Sequence, residues 1–191
     1  MKKLIIFEID NVLADRDGAL AKLLREAGDD LEGFIQNPNI YYGMKQIAPM
    51  VKLLKKVSQA GYPVAILSKR PTQALNFTKR WVKACDLNVD FVFIETAKDK
   101  LAFLEGTKDL EGIKDAIEFI VESDIVSFEK LARAGYTVYS YSENVIFGLV
   151  GMVKSGYRKP CLYTQSDGTV MLWERDDEEA IPLLEHLASR V

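Results

Sequence analysis

The stretch Leu4-Ile5-Ile6-Phe7-Glu8-Ile9-Asp10-Asn11-Val12-Leu13-Ala14-Asp15 (4–15) decides how the rest of the chain is read. Its first six residues, LIIFEI, are apolar and largely β-branched apart from Glu8. That pattern suits a strand covered on both faces in a parallel sheet, not one alternating between core and water. A carboxylate inside such a strand is costly unless something pairs with it, and a second one, Asp10, follows at the turn. Leu20, Leu23, Leu24 and Ala27 then recur at helical spacing with Gly28 in a stop position, so a helix is expected over 15–27.

The same alternation continues downstream. A helix is expected at about 46–60, a strand VAILS at 64–68, a helix at 72–85 and a strand VDFVFI at 89–94. A fourth strand, AIEFIV, covers 116–121, a helix over 125–134 closes at Gly135, and TVYSY (137–141) gives a fifth strand. Gly106 and Gly112 interrupt any continuous helix over 100–115. Strands alternating with helices imply βαβ crossovers and a parallel sheet with helices on both faces. Residues 29–44, with Gly33, Asn37, Pro38, Asn39 and Gly43, form a loop-rich excursion suited to a small cap. CLYTQ (161–165) and TVMLW (169–173) flank Ser166-Asp167-Gly168, a hairpin signal, and a last helix is expected at about 177–190.

The bulk numbers bound the partners. A chain of 191 residues supports one core, so residues 1–191 are read as a single domain with 29–44 and 157–191 as additions. A 48% hydrophobic and 28% charged composition is that of a globular protein. A net charge of -3 gives no long-range pull on polyanions, so no nucleic acid polymer is expected and any anion must be held locally. Cys85 and Cys161 belong to no CxxC or Cys/His cluster, which disfavours both a disulfide framework and a zinc site. His186 stands alone in a charged tail, disfavouring histidine-dependent acyl transfer. The apolar run behind Met1-Lys2-Lys3 is too short for a signal-peptide core or a membrane span, so a cytoplasmic location without membrane partners is expected.

Ligands of open α/β sheets bind beyond the carboxyl ends of the strands, near the reversal of strand order. Those ends deliver Glu8 and Asp10, then Ser68, then Lys98 or Lys100, and finally Glu122, Ser123 and Asp124. Carboxylates, a hydroxyl and a lysine at one edge suit Mg²⁺ and a phosphoryl group. Plainer roles exist for each: Glu8 in a salt bridge to Lys69, Arg70 or Lys100, Asp10 as a turn or capping residue, and Glu122 and Asp124 as helix N-terminal acids. Tyr41 and Tyr42 suit either a substrate lid or packing against the body.

Glu8-Ile9-Asp10-Asn11-Val12-Leu13-Ala14-Asp15 resembles the first signature of the haloacid dehalogenase (HAD) superfamily, in the DxDGVLAD form of the 5'(3')-deoxyribonucleotidases. Ser68 at a strand end, Lys98-Asp99-Lys100, and an acidic strand end followed by a helix and Ala134-Gly135 continue the resemblance in order over roughly residues 4–141. The resemblance implies a HAD-like Rossmannoid three-layer α/β sandwich with a central parallel sheet, a small cap insertion and a C-terminal β-hairpin plus helix. It also implies an aspartyl nucleophile at position 8 and Asp10 as general acid and base. Ser68 and Lys100 would hold the phosphoryl oxygens, with Lys98 the alternative lysine, and Glu8, Asp10 and Glu122 or Asp124 would ligate Mg²⁺.

The departures bear on chemistry. Glu8 stands where the nucleophilic aspartate is expected, and its extra methylene moves the carboxylate by about 1.5 Å. Misplacement of about 1 Å can cost on the order of a hundredfold in rate. Glu122-Ser123 stands where the nucleotidases carry two aspartates, which should weaken a Mg²⁺ shell. Asn11 replaces a glycine, yet asparagine tolerates positive φ, so the same turn remains accessible. Three functions stay open: a nucleotidase-type phosphomonoester hydrolase with activity weak or lost, a pseudoenzyme that binds nucleotide, phosphate or a protein, and an interaction protein whose terminal hairpin and helix support docking or a homodimer.

Overall fold

The apolar run at the N-terminus is covered on both faces. In β1 (Leu4–Phe7), Ile5 and Phe7 join a cluster with Ile9, Met50, Leu54, Val64 and Ile66, whereas Ile6 joins the opposite one with Leu67, Ile120, Phe128 and Leu131. β2 (Val64–Leu67) is buried at every position and divides its side chains the same way. Both strands therefore read as continuous hydrophobic runs because each face has helices over it. The computed structural model describes residues 2–27, 38–93, 99–106, 113–142, 161–164 and 170–173.

The remaining elements are α1 (Arg16–Ala27), α2 (Ala48–Gln59), α3 (Leu75–Ala84), β3 (Phe91–Phe93), α4 (Lys100–Gly106), the single turn α5 (Ile113–Ala116), β4 (Ile117–Glu122), α6 (Ile125–Arg133), β5 (Val138–Ser142), β6 (Cys161–Thr164) and β7 (Val170–Trp173). They build a sheet of order β3-β2-β1-β4-β5-β6-β7. All neighbours pair in parallel except β6 with β7. Chain order runs outward from β1 through β2 to β3 on one side and restarts with β4 on the other. The switch point thus lies between the carboxyl ends of β1 and β4, where Phe7 is level with Val121.

Several elements differ from the sequence reading. The helix expected over 72–85 opens as a 3-10 turn at Thr72–Ala74 after Pro71, and only then becomes α3. Such turns are frequent at helix starts, where the first amides have no partner within the helix. The strand expected at 89–94 begins at Phe91 and is described over Phe91–Phe93, residue 94 lying outside the described residues. The two strands expected at 161–165 and 169–173 pair antiparallel over their described residues, Cys161 opposite Trp173 and Thr164 opposite Val170. They also extend the main sheet, since β6 pairs with β5. The hairpin turn at 166–168, the helix at 177–190, His186, Lys98 and residues 29–37 lie outside the described residues.

The described part of the cap-like segment is a 3-10 turn, Pro38–Tyr41, and the loop that follows it. Trp81 of α3 pins that loop by donating Nε1–H to the Met44 carbonyl at 2.8 Å. Ala14 bridges to Gln46, so the stretch after β1 and the stretch before α2 are held together. No helix among the described residues is long and apolar enough to cross a membrane.

Candidate functional site

β1 ends at Phe7, but Glu8 still donates its amide to the Val121 carbonyl of β4 at 2.9 Å. Its side chain is buried and turns back over the chain: Oε1 accepts the amides of Ile9 at 2.8 Å and Asp10 at 3.1 Å. Oε2 accepts from the Lys100 ammonium. Glu122, at the end of β4, repeats the arrangement. Its Oε1 accepts the amides of Ser123 at 3.0 Å and Asp124 at 2.9 Å, and its Oε2 accepts from the same ammonium at 2.6 Å. Two glutamates at the ends of adjacent strands therefore share Lys100, the first residue of α4, and all three are buried. Of the salt bridges open to Glu8 from sequence, the one to Lys100 forms.

Asp10 takes a different cation. Arg70 reaches it with Nη2 to Oδ1 at 2.6 Å and with Nε to Oδ1 at 3.0 Å and Oδ2 at 3.2 Å. Arg70 itself is buried; its Nη1 donates to Thr78 Oγ1 at 3.0 Å, and its Cζ lies 4.6 Å from the Tyr41 ring centroid. Burial, and the Asp10 charge after it, push the Tyr41 phenol above the usual tyrosine range. The expected candidates did not include Arg70 as a site residue. The available signal was three polar residues, Ser68-Lys69-Arg70, directly after a fully buried strand.

Asp124 caps α6, its Oδ1 accepting the Val126 amide at 3.2 Å, while its Oδ2 accepts from Lys69 and, at 2.8 Å, from Ser127 Oγ. Burial is the largest single influence on this carboxyl and works against its charged form. The hydrogen bonds from Lys69, Ser127 and Val126 and the Lys69 charge outweigh it and hold the group below the ordinary aspartate range. Ser123 Oγ donates to the Asp10 carbonyl at 2.8 Å and closes the seam between the two strand ends.

The other sequence candidates fall nearby. Ser68 is wholly buried, with Oγ accepting the Arg70 amide at 3.3 Å. Asn11 has φ of 59°, the left-handed conformation expected where the resembling motif has glycine. Asp15 lies at the start of α1, where Oδ1 accepts the Gly18 amide at 2.7 Å. An added Cβ at Gly18 would lie 2.0 Å from that carboxylate, so a larger residue there would push the Asp15 side chain aside.

Over the strand ends lies a cavity of about 370 Å³ lined by Glu8, Asp10, Asn11, Arg16, Tyr41, Lys69, Arg70 and residues 122–124. Ser68 and Lys100 do not line it. Among the described residues, the basic side chains that line it are Arg16, Lys69 and the buried Arg70.

Magnesium requires near-octahedral oxygen ligands at about 2.0–2.1 Å. Glu8, Asp10, Glu122 and Asp124, the expected ligands, each have both carboxylate oxygens engaged by amides, hydroxyls, ammonium or guanidinium. The Asp10 carbonyl is taken by Ser123. No group of three acidic, histidine or cysteine side chains among the described residues is arranged to hold a metal ion. The strand ends meet as expected, but the donor set does not fit Mg²⁺, because Lys100 lies between the two glutamates.

No protein-family model matches the sequence, and no curated protein matches it significantly. Solved structures do. A haloacid dehalogenase-like hydrolase from Streptococcus pneumoniae is 14% identical with a TM-score of 0.59, over 86% of this chain and 94% of that one. An L-2-haloacid dehalogenase from Xanthobacter autotrophicus is 15% identical with a TM-score of 0.56, over 82% and 84%. The D,D-heptose 1.7-bisphosphate phosphatase of B. bronchiseptica, complexed with magnesium and phosphate, is 16% identical with a TM-score of 0.53 over the whole of both chains. The chain has the fold of HAD-like hydrolases and phosphatases.

Proposed function

We propose that this chain binds a small phosphorylated molecule, such as a nucleoside monophosphate, in the cavity above Glu8 and Asp10, and hydrolyses it weakly or not at all. One observation carries the reading: the carboxylate at the nucleophile position is engaged at both oxygens, by two amides and by Lys100. In-line attack on phosphorus needs a carboxylate oxygen free to approach, and misplacement of about 1 Å is enough to cost about a hundredfold. The group expected to act as acid and base, Asp10, is likewise held by a buried guanidinium.

Anion binding draws support from what faces the opening. Lys69 and Asp124 form a pair whose side chains are 40% and 37% exposed, and exposed pairs are worth little in water. Lys69 is thus available to a phosphate at small cost, and Arg16 lines the same cavity. Slow hydrolysis is the second reading, favoured by the phosphatases that share the fold.

The test is phosphate release from nucleoside monophosphates and an aryl phosphate by wild type, Glu8→Asp and Asp10→Asn, together with calorimetric titration of the same monophosphates. Binding without turnover by wild type is the expected result, and activity gained by Glu8→Asp would trace the loss of turnover to the longer side chain at position 8. Turnover by wild type that Asp10→Asn abolishes establishes the hydrolase instead. Absence of both binding and turnover ends the proposal.

A further inference from the structure

We propose that the Lys100 ammonium is a built-in cation that holds the place of a divalent metal, so that this site is assembled and used without one. Glu8 and Glu122 reach a single nitrogen from two adjacent strands, and the three side chains are at most 6% exposed. Two buried carboxylates converging on one point are strongly unfavourable unless a cation lies between them or one takes up a proton, and here an ammonium lies between them. An ammonium brings three donors and one positive charge. Two of those donors go to Glu8 and Glu122, and no buried side-chain nitrogen or oxygen among the described residues lacks a partner.

A second feature shows that Lys100 is placed rather than incidental. Asp99, the residue before it, accepts the Leu101 amide on Oδ1 at 3.0 Å and the Lys130 ammonium on Oδ2 at 2.6 Å. The start of α4 thereby meets α6, and from there the buried Lys100 ammonium reaches both strand ends. Arg70 pairs with Asp10 and Lys69 with Asp124, so the Lys100 ammonium serves Glu8 and Glu122 alone. A divalent ion would have to shed water, expel a buried ammonium and displace the amide donors of both glutamates. The longer side chains at positions 8 and 122 fit this arrangement, since each folds back onto the next two amides while its second oxygen still reaches the ammonium.

This exchange of ammonium for metal is independent of which anion the cavity takes. It is tested by electron paramagnetic resonance titration of Mn²⁺ and by melting temperature in EDTA against millimolar Mg²⁺, for wild type and Lys100→Met. Wild type should bind no Mn²⁺ at millimolar concentration and should melt at the same temperature with Mg²⁺ or EDTA. Lys100→Met, which leaves Glu8 and Glu122 without their cation, should melt lower in EDTA, recover with Mg²⁺, and bind Mn²⁺ about tenfold or more tightly than wild type. Stoichiometric Mn²⁺ binding by wild type that Glu122→Gln abolishes overturns the proposal, as does a wild-type melting temperature raised by Mg²⁺. If Lys100→Met does not fold, the double variant Lys100→Met, Glu8→Gln carries one charge fewer, and the wild-type titration decides alone. Titrating phosphate in EDTA separates the two readings, since anion binding there can fail while Mn²⁺ is still excluded.

Discussion

Arg70 Nη2 donates to Asp10 Oδ1 at 2.6 Å and so ties the end of β2 to the end of β1 across 60 residues of chain. The guanidinium is fully enclosed while Asp10 is 18% exposed, and Tyr41 and Met44 close over the arginine from the cap-like segment. Removing one partner of a buried pair leaves the other charge unpaired. Arg70→Ala should therefore lower stability by about 3 kcal/mol or more. Arg70→Lys keeps the charge but loses the fork, and should fall between wild type and Arg70→Ala. Urea unfolding midpoints measure both, and an unchanged midpoint for Arg70→Ala removes the clamp from the stability account.

Acid should weaken the fold through Asp99 and Asp124. The Lys130 hydrogen bond is the largest influence holding Asp99 below the usual aspartate range, against some burial and with help from the Leu101 and Ala102 amides. Asp124 is held low by Lys69, Ser127 and Val126 despite its burial. A carboxyl that titrates lower when folded binds fewer protons in the native than in the unfolded chain around the aspartate range. Stability from these groups is consequently present above about pH 4 and lost as pH falls through their folded values. Denaturation midpoints between neutral pH and about pH 3 should fall for wild type and fall less for Asp99→Asn with Asp124→Asn. Parallel curves for the two proteins would show that other groups set the acid limit.

The legible parts of this protein are those where local chemistry leaves one solution. LIIF and VAIL had to be interior parallel strands because neither alternates. A glutamate beside such a strand had to find a cation, and Glu8 finds Lys100. Asn11 could replace glycine only if it adopted positive φ, as it does. What was illegible depends on reach in three dimensions. Three cations were available to Glu8 from sequence, and nothing local distinguishes Arg70, which turns to Asp10, from Lys100, which crosses from α4 to both glutamates. Similarly, the Asp-Gly turn between β6 and β7 signals a hairpin but not that its first strand docks on β5.

Trp81 should prove a strut for the segment beside the cavity. Its indole is buried and donates to the Met44 carbonyl, and Met44 in turn brings its sulfur within 3.3 Å of Arg70. Trp81→Phe deletes the donor and leaves both a partly empty space and an unsatisfied carbonyl. The expected loss is about 2–4 kcal/mol, the sum of a buried hydrogen bond and a modest cavity. Chemical denaturation gives the stability. Proteolysis of the native protein should show faster cleavage near residues 42–47 in Trp81→Phe than in wild type, and equal rates would mean the loop is held by other contacts.

Asn11 offers a separation of backbone from side-chain effects at the mouth of the site. Its φ of 59° is costly for most residues with a Cβ, whereas its Oδ1 accepts the Asp17 amide at 3.1 Å in an exposed setting. Asn11→Gly gives up that exposed bond but gains conformational freedom where glycine is at ease, so its stability should stay within about 0.5 kcal/mol of wild type. Asn11→Ala loses the same bond and must force a β-carbon into the left-handed region, at about 1–2 kcal/mol. Asn11→Val, branched at Cβ, should be the least stable of the series. Thermal or urea melts of the four proteins should therefore rank asparagine and glycine together, then alanine, then valine. If alanine equals glycine, the turn after β1 relaxes out of the left-handed region, and the orientation of Glu8 and Asp10 does not depend on it.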